Sequence, residues 1–247
     1  MSAARSALRQ VTDVAGMLTA AARWPVFSRT SHRMVGDLAR QGLRPDTVID
    51  VGANRGQFAV AALQTWPACT VHSFEPLPSM ADHLNGLVTR YSGRYRVTPS
   101  AVGSEPGSAT LNVNRHHQSS SLLALDRRHL AAFPDATPTD TVDVPVTTLD
   151  EELSSDGLAG RSLLKVDVQG FEREVLLGAA RVLGEFDHVI LEASFQPMYA
   201  DEWTFPDIEA FMGDRGFRFV RPVGSLRDPA TGEYLQIDAL FEPNPAE

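Results

Sequence analysis

Several features that would place a protein in other structural classes are absent or rare in this sequence. It has a single cysteine, Cys69, so no internal disulfide can form, and no Cys/His cluster has the spacing of a zinc site. No apolar run is long enough for a transmembrane helix. The first 22 residues are interrupted by Arg5, Arg9 and Asp13 and lack the compact apolar block of a signal peptide, which predicts a cytoplasmic protein.

Basic charge is also scarce. The formal net charge is −9, and Lys165 is the only lysine among the 247 residues. No basic face or tail stands out, which argues against nucleic acid or an anionic membrane surface as the partner. The chain is long enough for one large domain with a buried core, and its 43% apolar content is ordinary for a soluble globular protein.

Residues 1–45 are predicted to be helical, because apolar residues recur there at helical spacing until Gly42 and Pro45 end the pattern. We expect a helical cap that packs on the main domain. A lid over a substrate site and a homodimer contact are compatible alternatives. The apolar positions are Leu8, Val11, Val14, Ala15, Leu18, Met34, Val35 and Leu38.

From residue 46 to the C-terminus, strands alternate with helices, which predicts a parallel sheet covered by helices on both faces. Residues 103–147 break this rhythm and are predicted to be an insertion on the sheet. The last two strands are expected to form an antiparallel hairpin. The predicted strands are Thr47–Val51, Thr70–Phe74, Tyr95–Val102, Leu163–Val168, His188–Ala193, Phe217–Val220 and Gln236–Phe241, and a helix is predicted over Gly170–Leu183.

The most informative segment is residues 48–58, where a strand leads through a glycine turn into a helix. Ligands of open parallel sheets bind outside the carboxyl ends of the strands, and the first strand–helix turn is the usual place. The glycines let the backbone approach a ligand, and the helix N-terminus offers free N–H groups. We assign five residues of this segment to cofactor binding: Asp50, Gly52, Asn54, Gly56 and Phe58.

The spacing of this turn favours one class of cofactor over another. A dinucleotide fingerprint requires G-x-G-x-x-G, whereas here Gly52 is followed by Asn54 and then by Gln57. The arrangement D-x-G-x-N-x-G fits better the loop that passes under the methionine and ribose of S-adenosylmethionine.

A second motif, Glu75-Pro76, follows the second predicted strand. A carboxylate there can accept two hydrogen bonds from the ribose hydroxyls of adenosine, and charged acceptors make strong hydrogen bonds. Glu75 suits either cofactor, and the alternative is a solvated loop glutamate. We assign Glu75 and Pro76 to the cofactor site and place the adenine near Ser100, Ala101 and Val102.

A third segment, residues 164–172, has the sequence Leu-Lys-Val-Asp-Val-Gln-Gly-Phe-Glu. Together with the two earlier motifs and with the Thr-Leu-Asp of residues 148–150, it resembles the FkbM family of methyltransferases over about residues 45–200. Gln169 stands where that family usually has glutamate, which removes one charge near the site.

The resemblance implies a class I methyltransferase fold, which is a Rossmann-like α/β architecture with a mostly parallel seven-stranded sheet and an antiparallel strand near the C-terminus. It also implies S-adenosylmethionine as the methyl donor and a hydroxyl group as the acceptor. Sugar hydroxyls of glycolipids, polysaccharides and glycosylated natural products are typical acceptors in the family.

Methyl transfer to a hydroxyl requires in-line placement of the reacting atoms and benefits from a base. Asp167, near the end of the fourth strand, is the first candidate for that base; alternatively it caps the following helix. Glu192, at the end of the next strand, could share the site, and the two carboxylates could hold a divalent cation. Glu172 is expected to orient a loop or to pair with a cation.

Other polar and aromatic side chains are weaker candidates. His117, which we include among the catalytic residues, and His116 lie in the inserted loop and are either bases or simply solvated. Nearby serines, Ser119, Ser120 and Ser121, could contact the adenine or the acceptor. Four aromatic residues after the fifth strand could form a wall that stacks on a sugar ring, or could be ordinary packing: Phe195, Tyr199, Trp203 and Phe205.

Two other function classes remain open from the sequence alone. One is a nicotinamide-dependent oxidoreductase on the same kind of sheet, which the spacing of the glycine turn disfavours. The other is a non-catalytic module that binds adenosylmethionine, against which the acidic and glycine residues of all three motifs argue.

Overall fold

The structure is a computed structural model and describes residues 27–114, 121–123, 138–153, 158 and 160–245. Its strands are β1 (Thr47–Val51), β2 (Thr70–Phe74), β3 (Tyr95–Thr98), β4 (Ala101–Val102), β5 (Gly107–Asn114), β6 (Pro138–Thr147), β7 (Ser162–Val166), β8 (His188–Ser194), β9 (Phe217–Arg227) and β10 (Tyr234–Pro243). Its α-helices are α1 (Arg29–Arg40), α2 (Gln57–Thr65), α3 (Ala81–Arg90), α4 (Leu149–Glu152), α5 (Glu172–Leu177) and α6 (Phe205–Gly213), with 3₁₀ turns at Pro78–Met80 and Leu183–Glu185.

Seven strands form one sheet in the order β3-β2-β1-β7-β8-β10-β9. The first five of these strands are parallel, and β10 runs antiparallel between β8 and β9. This confirms the predicted α/β fold with a mostly parallel seven-stranded sheet and an antiparallel hairpin at its end. The strand order reverses between β1 and β7, and such a point opens a crevice at the carboxyl ends of the strands.

The two central strands explain why the sheet needs helices on both faces. Every residue of β1 and of β7 is buried, as expected for apolar parallel strands. Alternate residues point to opposite faces, so Val48 and Leu163 join one hydrophobic cluster while Ile49 and Leu164 join another. Helices α1, α2 and α3 cover the first face, and α4, α5 and α6 cover the second.

A separate three-stranded sheet in the order β4-β6-β5 corrects one prediction. The sequence predicted a single extended segment over Tyr95–Val102, but only Tyr95–Thr98 lies in the main sheet. The Ser100 hydroxyl donates to the carbonyl oxygen of Pro145 at 2.9 Å, and Ala101–Val102 pairs with β6 instead. A local pattern of apolar residues does not show that a strand changes partners.

One further prediction differs from the structure in its boundaries. The helix predicted over Gly170–Leu183 extends only over Glu172–Leu177. It ends where Gly178 packs on Gly103, so closely that a Cβ at position 178 would lie 1.9 Å from the Gly103 carbonyl oxygen. Cys69 directly precedes β2 and is a buried free thiol.

Helix α1 lies in the second half of the predicted N-terminal cap. Ser28 caps it by accepting a hydrogen bond from the Ser31 N–H at 3.2 Å. Its buried residues, Met34, Val35 and Leu38, are those that the helical spacing predicted. Residues 1–26, on which the rest of that prediction falls, lie outside the described residues. Among the described residues no helix is long and apolar enough to cross a membrane.

Candidate functional site

The candidate site lies at the carboxyl ends of β1, β2, β7 and β8, beside the reversal of strand order. The turn after β1 is tied to its neighbours through the backbone. The Gly52 N–H donates to the Phe74 carbonyl at 3.0 Å, and the Asp167 N–H donates to the Val51 carbonyl at 3.0 Å. These bonds hold the ends of three strands together, so the residues that follow each strand converge on one place.

Gly52 has the backbone geometry that only glycine adopts easily. Its φ is 84°, and a Cβ there would lie 1.9 Å from the Asp167 carbonyl oxygen. Gly56, with a φ of 82°, is the N-cap of α2. The loop between these glycines therefore packs directly on the backbone that carries Asp167.

Asp50 lies inside the site and is completely buried. One of its oxygens accepts a hydrogen bond from the Ser73 hydroxyl at 3.2 Å, while the other, Oδ1, has no partner within the described part of the chain. Burial raises the pKa of Asp50 to about 6, although the charge of Lys165 opposes that shift. A buried acceptor without a partner is what a donor group of a ligand could satisfy.

Glu75 follows β2 and is also buried. Its two oxygens each accept one backbone N–H, from Asn54 at 2.7 Å and from Leu77 at 2.9 Å. Burial raises the pKa of this carboxyl to about 7 despite those two bonds. Glu75 is therefore not the solvated loop residue of the alternative interpretation, and each of its oxygens keeps acceptor capacity for a ligand hydroxyl.

Lys165 and Asp167 form an ion pair at the end of β7, with Nζ 3.0 Å from Oδ2. Burial by itself would lower the pKa of Lys165, but the charges of Asp167, Asp50 and Asp238 raise it above its usual value. The pKa of Asp167 is lowered, because Lys165 and a hydrogen bond from Gln169 outweigh the effect of burial. Asp167 is thus held as a carboxylate and is a weak base.

Gln169 connects Asp167 with Glu192. Its side-chain Nε2 donates to Oδ1 of Asp167 at 2.9 Å and to Oε2 of Glu192 at 2.8 Å. The structure therefore brings the two predicted catalytic carboxylates together. The helix-capping alternative for Asp167 is wrong, because the N-cap of α5 is Phe171 and Asp167 bonds to Lys165 and Gln169 instead.

Glu192 lies within β8, two residues before its end, rather than at the end as predicted. It is half-buried and stands opposite Asp238 in the antiparallel register. Burial raises the pKa of Glu192 well above its usual value, and repulsion from Asp167, Glu172 and Asp238 adds to this effect. Of the two carboxyl groups, Glu192 is the stronger proton acceptor.

Two more buried glutamates shape the loops around the site. Glu172 accepts the Val168 N–H at 3.0 Å. It therefore orients the loop after β7, which is one of the two roles expected for it from the sequence. Burial raises its pKa to about 8. Glu202 accepts the Met198 N–H at 2.6 Å and the Tyr199 N–H at 2.9 Å, which fixes the loop after β8.

The remaining residues assigned to the cofactor differ in their burial and in their contacts. Phe58 is buried, with its ring centroid 5.5 Å from Lys165 Nζ. Asn54 contributes its backbone N–H to Glu75 and has a φ of 50°. Pro76 is half-buried beside Glu75, and Ala101 and Val102 are buried in β4.

Of the candidates in the inserted loop the structure describes only Ser121, and the four aromatic residues make separate contacts. His116, His117, Ser119 and Ser120 lie outside the described residues, whereas the Ser121 hydroxyl donates to the Gln169 carbonyl oxygen at 2.6 Å. The four aromatic residues do not form one wall. Phe195 packs near Phe205 at 5.8 Å, Trp203 packs on Phe211, and Tyr199 is buried with its hydroxyl on Gln169.

Within the described residues, no group of three or more His, Cys, Asp or Glu side chains is arranged to hold a metal ion. Asp167 and Glu192 instead share an amide donor.

Three contributors to the site carried no functional assignment from the sequence. Lys165 is the only charged residue of the buried strand β7, and this position could have indicated a buried ion pair. Gln169 was noted only as a departure from the family pattern. Asp238 comes from the distant strand β10, and no pattern along the chain indicates its approach to β8.

Comparison with known proteins gives one family and a few relatives. Residues 50–219 match the model of the methyltransferase FkbM domain. The 31-O-demethyl-FK506 methyltransferase FkbM of Streptomyces tacrolimicus is 33% identical over an alignment of 159 residues, and the match covers 55% of this chain and 60% of that protein. The 2-O-methyltransferase NoeI of Sinorhizobium fredii (strain NBRC 101917 / NGR234) is 27% identical over an alignment of 184 residues, and the match covers 72% of this chain and 74% of that protein.

A solved structure supports the fold. The methyltransferase FkbM of Methylobacillus flagellatus KT has a TM-score of 0.51 and 15% identity, and the match covers 94% of this chain and 59% of that one. At this identity the likeness is evidence for the fold alone.

Proposed function

The chain belongs to the methyltransferase FkbM domain family, and from this premise we propose that it is an S-adenosylmethionine-dependent O-methyltransferase that acts on a sugar hydroxyl. The observation that carries the proposal is the convergence of Glu75, the Gly52–Gly56 turn and the Asp167–Glu192 pair at adjacent strand ends. Family membership favours methyl transfer over the hydride transfer that a Rossmann-like sheet also permits.

The residues at the turn fit the methyl donor. Glu75 would accept the ribose hydroxyls with the lone pairs that Asn54 and Leu77 leave free. Asp50, whose Oδ1 has no partner among the described residues, would attract the positively charged amino group of the methionine part. When bound, the donor supplies an electrophilic methyl group on a sulfonium, and the carboxylates around it stabilise that positive charge.

The acceptor end of the site is formed by Asp167 and Glu192, which are both half-buried. We assign proton abstraction from the acceptor hydroxyl to Glu192, because its carboxyl is held beside Asp167 by Gln169 and its proton affinity is raised, which makes it the better base of the two. Asp167, held by Lys165, would orient the hydroxyl by accepting a hydrogen bond. This division revises the expectation from sequence that Asp167 is the base.

A hydroxyl acceptor is supported by the names of the two relatives, both of which specify methylation at an oxygen. A sugar is supported by aromatic surface beside the strand ends. Phe195 and Tyr234 are more than 40% exposed, with ring centroids 6.5 Å apart. Such rings can pack on the apolar face of a sugar.

The proposal is tested by incubating the protein with methyl-labelled donor and a panel of mono- and oligosaccharides, with and without a chelator. We expect label in at least one saccharide as an O-methyl ether. Loss of transfer with chelator would show that a divalent cation takes part. Transfer of label to amines or carbon atoms only, and to no hydroxyl of any compound tested, would contradict the proposal.

A further inference from the structure

The side chain of Gln169 uses all of its hydrogen-bonding groups inside the site. The two N–H groups of Nε2 donate hydrogen bonds to Asp167 and Glu192, and Oε1 accepts a hydrogen bond from the Tyr199 hydroxyl at 2.9 Å. Rotation of the amide by 180° would place Oε1 against two carboxyl groups and lose both donors. The chemistry of the neighbours therefore fixes the orientation of the amide.

The backbone at Gln169 is also held in place. Its φ of 58° lies in the left-handed region, which is uncommon for a residue with a side chain. The Ser121 hydroxyl donates to its carbonyl oxygen at 2.6 Å. The next residue, Gly170, packs so closely on the Tyr199 ring that a Cβ would lie 2.7 Å from Cδ2. Such strain is found where the surrounding structure over-determines a functional position.

The two carboxyl groups depend on Gln169 to different extents. Asp167 is also held by Lys165 at 3.0 Å. Within the part of the chain that the structure describes, the bond from Gln169 is the only side-chain hydrogen bond of Glu192. Loss of the amide would therefore free Glu192 while leaving Asp167 paired.

From these contacts we propose that Gln169 is a positioning residue that holds the Glu192 carboxyl in place for the acceptor hydroxyl. The inference rests on the proposed function, in which Glu192 accepts the proton. A neutral hydrogen-bond donor suits position 169, because carboxyl groups surround this position and a glutamate there would add a further one. The charged groups around the Glu192 carboxyl are Lys165 of β7, Asp167 directly after β7, Asp238 of β10 and Glu172 of α5. Tyr199, in the loop after β8, lies near Glu192 and Glu202.

The test is a kinetic cycle with Gln169→Met, which keeps the length of the side chain and removes its hydrogen bonds, and Glu192→Gln. We expect Gln169→Met to lower kcat at least about tenfold while leaving KM for the acceptor and Kd for the donor within about twofold. In the Glu192→Gln background the same substitution should change kcat by less than about twofold, because a residue that acts through Glu192 has nothing left to position. A second tenfold loss in that background would overturn the proposal.

Thermal unfolding provides a readout that does not depend on methyl transfer. For this measurement Glu192→Met replaces Glu192→Gln, because an amide at position 192 would keep an acceptor oxygen for Gln169. The loss of Tm in the double variant should be smaller than the summed losses of the two single variants, since both remove one shared contact. Gln41→Met, at an exposed glutamine, is the matched control and should add its effect to that of Glu192→Met. If the losses of Tm from the substitutions at Gln169 and Glu192 are additive, the inference is wrong even if the protein proves to be a methyltransferase. If the losses of Tm are smaller than additive but no acceptor is methylated, the contact between Gln169 and Glu192 exists and the proposed function is wrong.

Discussion

Glu75 connects donor binding with pH, because its pKa is raised to about 7 in the protein without donor. Ribose hydroxyls that donate to Glu75 would stabilise the carboxylate, so binding should favour the deprotonated form. Donor affinity is therefore expected to be constant well above pH 7 and to fall by up to about tenfold per pH unit below it. Calorimetric titration between pH 5.5 and 8.5 measures this dependence.

Glu75→Gln is the control for this experiment, since the amide keeps an acceptor and cannot titrate. We expect it to bind the donor about tenfold more weakly than the wild type above pH 7. Its affinity should not change near pH 7 and should fall only near pH 6, where Asp50 titrates. A wild-type affinity that rises as the pH is lowered would contradict the assignment of Glu75 to the ribose.

The base is identified by comparing Glu192→Gln with Asp167→Asn, two substitutions that remove a charge and little volume. Loss of the proton acceptor should lower kcat by about 10²–10⁴, whereas Asp167→Asn, which keeps an oxygen for the hydroxyl, should lower kcat by about tenfold. Donor Kd should stay within about threefold in both. If Asp167→Asn causes the larger loss of kcat, Asp167 is the base, as the sequence first indicated.

The sequence predicted which carboxyl groups come together but not which of them has a raised or a lowered pKa. Asp50, Glu75 and Asp167 follow or end predicted strands, so their convergence could be inferred from the topology of parallel sheets. The weak basicity of Asp167 depends on Lys165, and the raised pKa of Glu192 depends partly on Asp238. Those contacts are formed across strands and have no periodic pattern.

At the scale of elements, the turn from β1 to α2 leaves no room for a side chain at Gly52. Gly52→Ala would place a methyl group against the Asp167 carbonyl at a positive φ. We expect it to lower the free energy of unfolding by about 2 kcal/mol or more, with a fall in Tm of at least about 4 °C. Methyl transfer should be lost, because the backbone of Asp167 must move.

Gly86→Ala is the matched control for that variant. Gly86 lies in the middle of α3 and is exposed, and a Cβ at this position would meet nothing beyond its own helix within 4 Å. Alanine there should raise the free energy of unfolding by about 0.5–1 kcal/mol and leave activity unchanged. Urea unfolding of both variants checks the pair. Equal effects of the two substitutions would show that the Gly52 turn has no special role.

Elements with a strong pattern along the chain were predicted well, and those defined by their partners were not. The apolar runs of β1 and β7 predict buried parallel strands without further information. The apolar segment from Tyr95 to Val102 has the same character but divides between two sheets, because β6 lies beside its second half. Strand exchange of this kind is decided by the packing of distant segments.

At the scale of the whole molecule, the order of the strands places the site. The strand order reverses between β1 and β7, and the glycine turn, Glu75 and the Asp167–Glu192 pair lie together at the carboxyl ends of the strands. Helix α1 packs on the face that α2 also covers. We propose that α1 is part of the N-terminal helical cap and that the domain proper begins near residue 46.

We expect this strand-end crevice to bind S-adenosylmethionine as its methyl donor. The most direct test is a pair of calorimetric titrations of the full chain at pH 8, one with S-adenosylmethionine and one with NADH, each repeated on Gly52→Ala. We expect saturable binding of one S-adenosylmethionine per chain, loss of that binding in Gly52→Ala, and no heat of binding with NADH. Saturable binding of NADH without binding of S-adenosylmethionine would contradict this assignment of the donor.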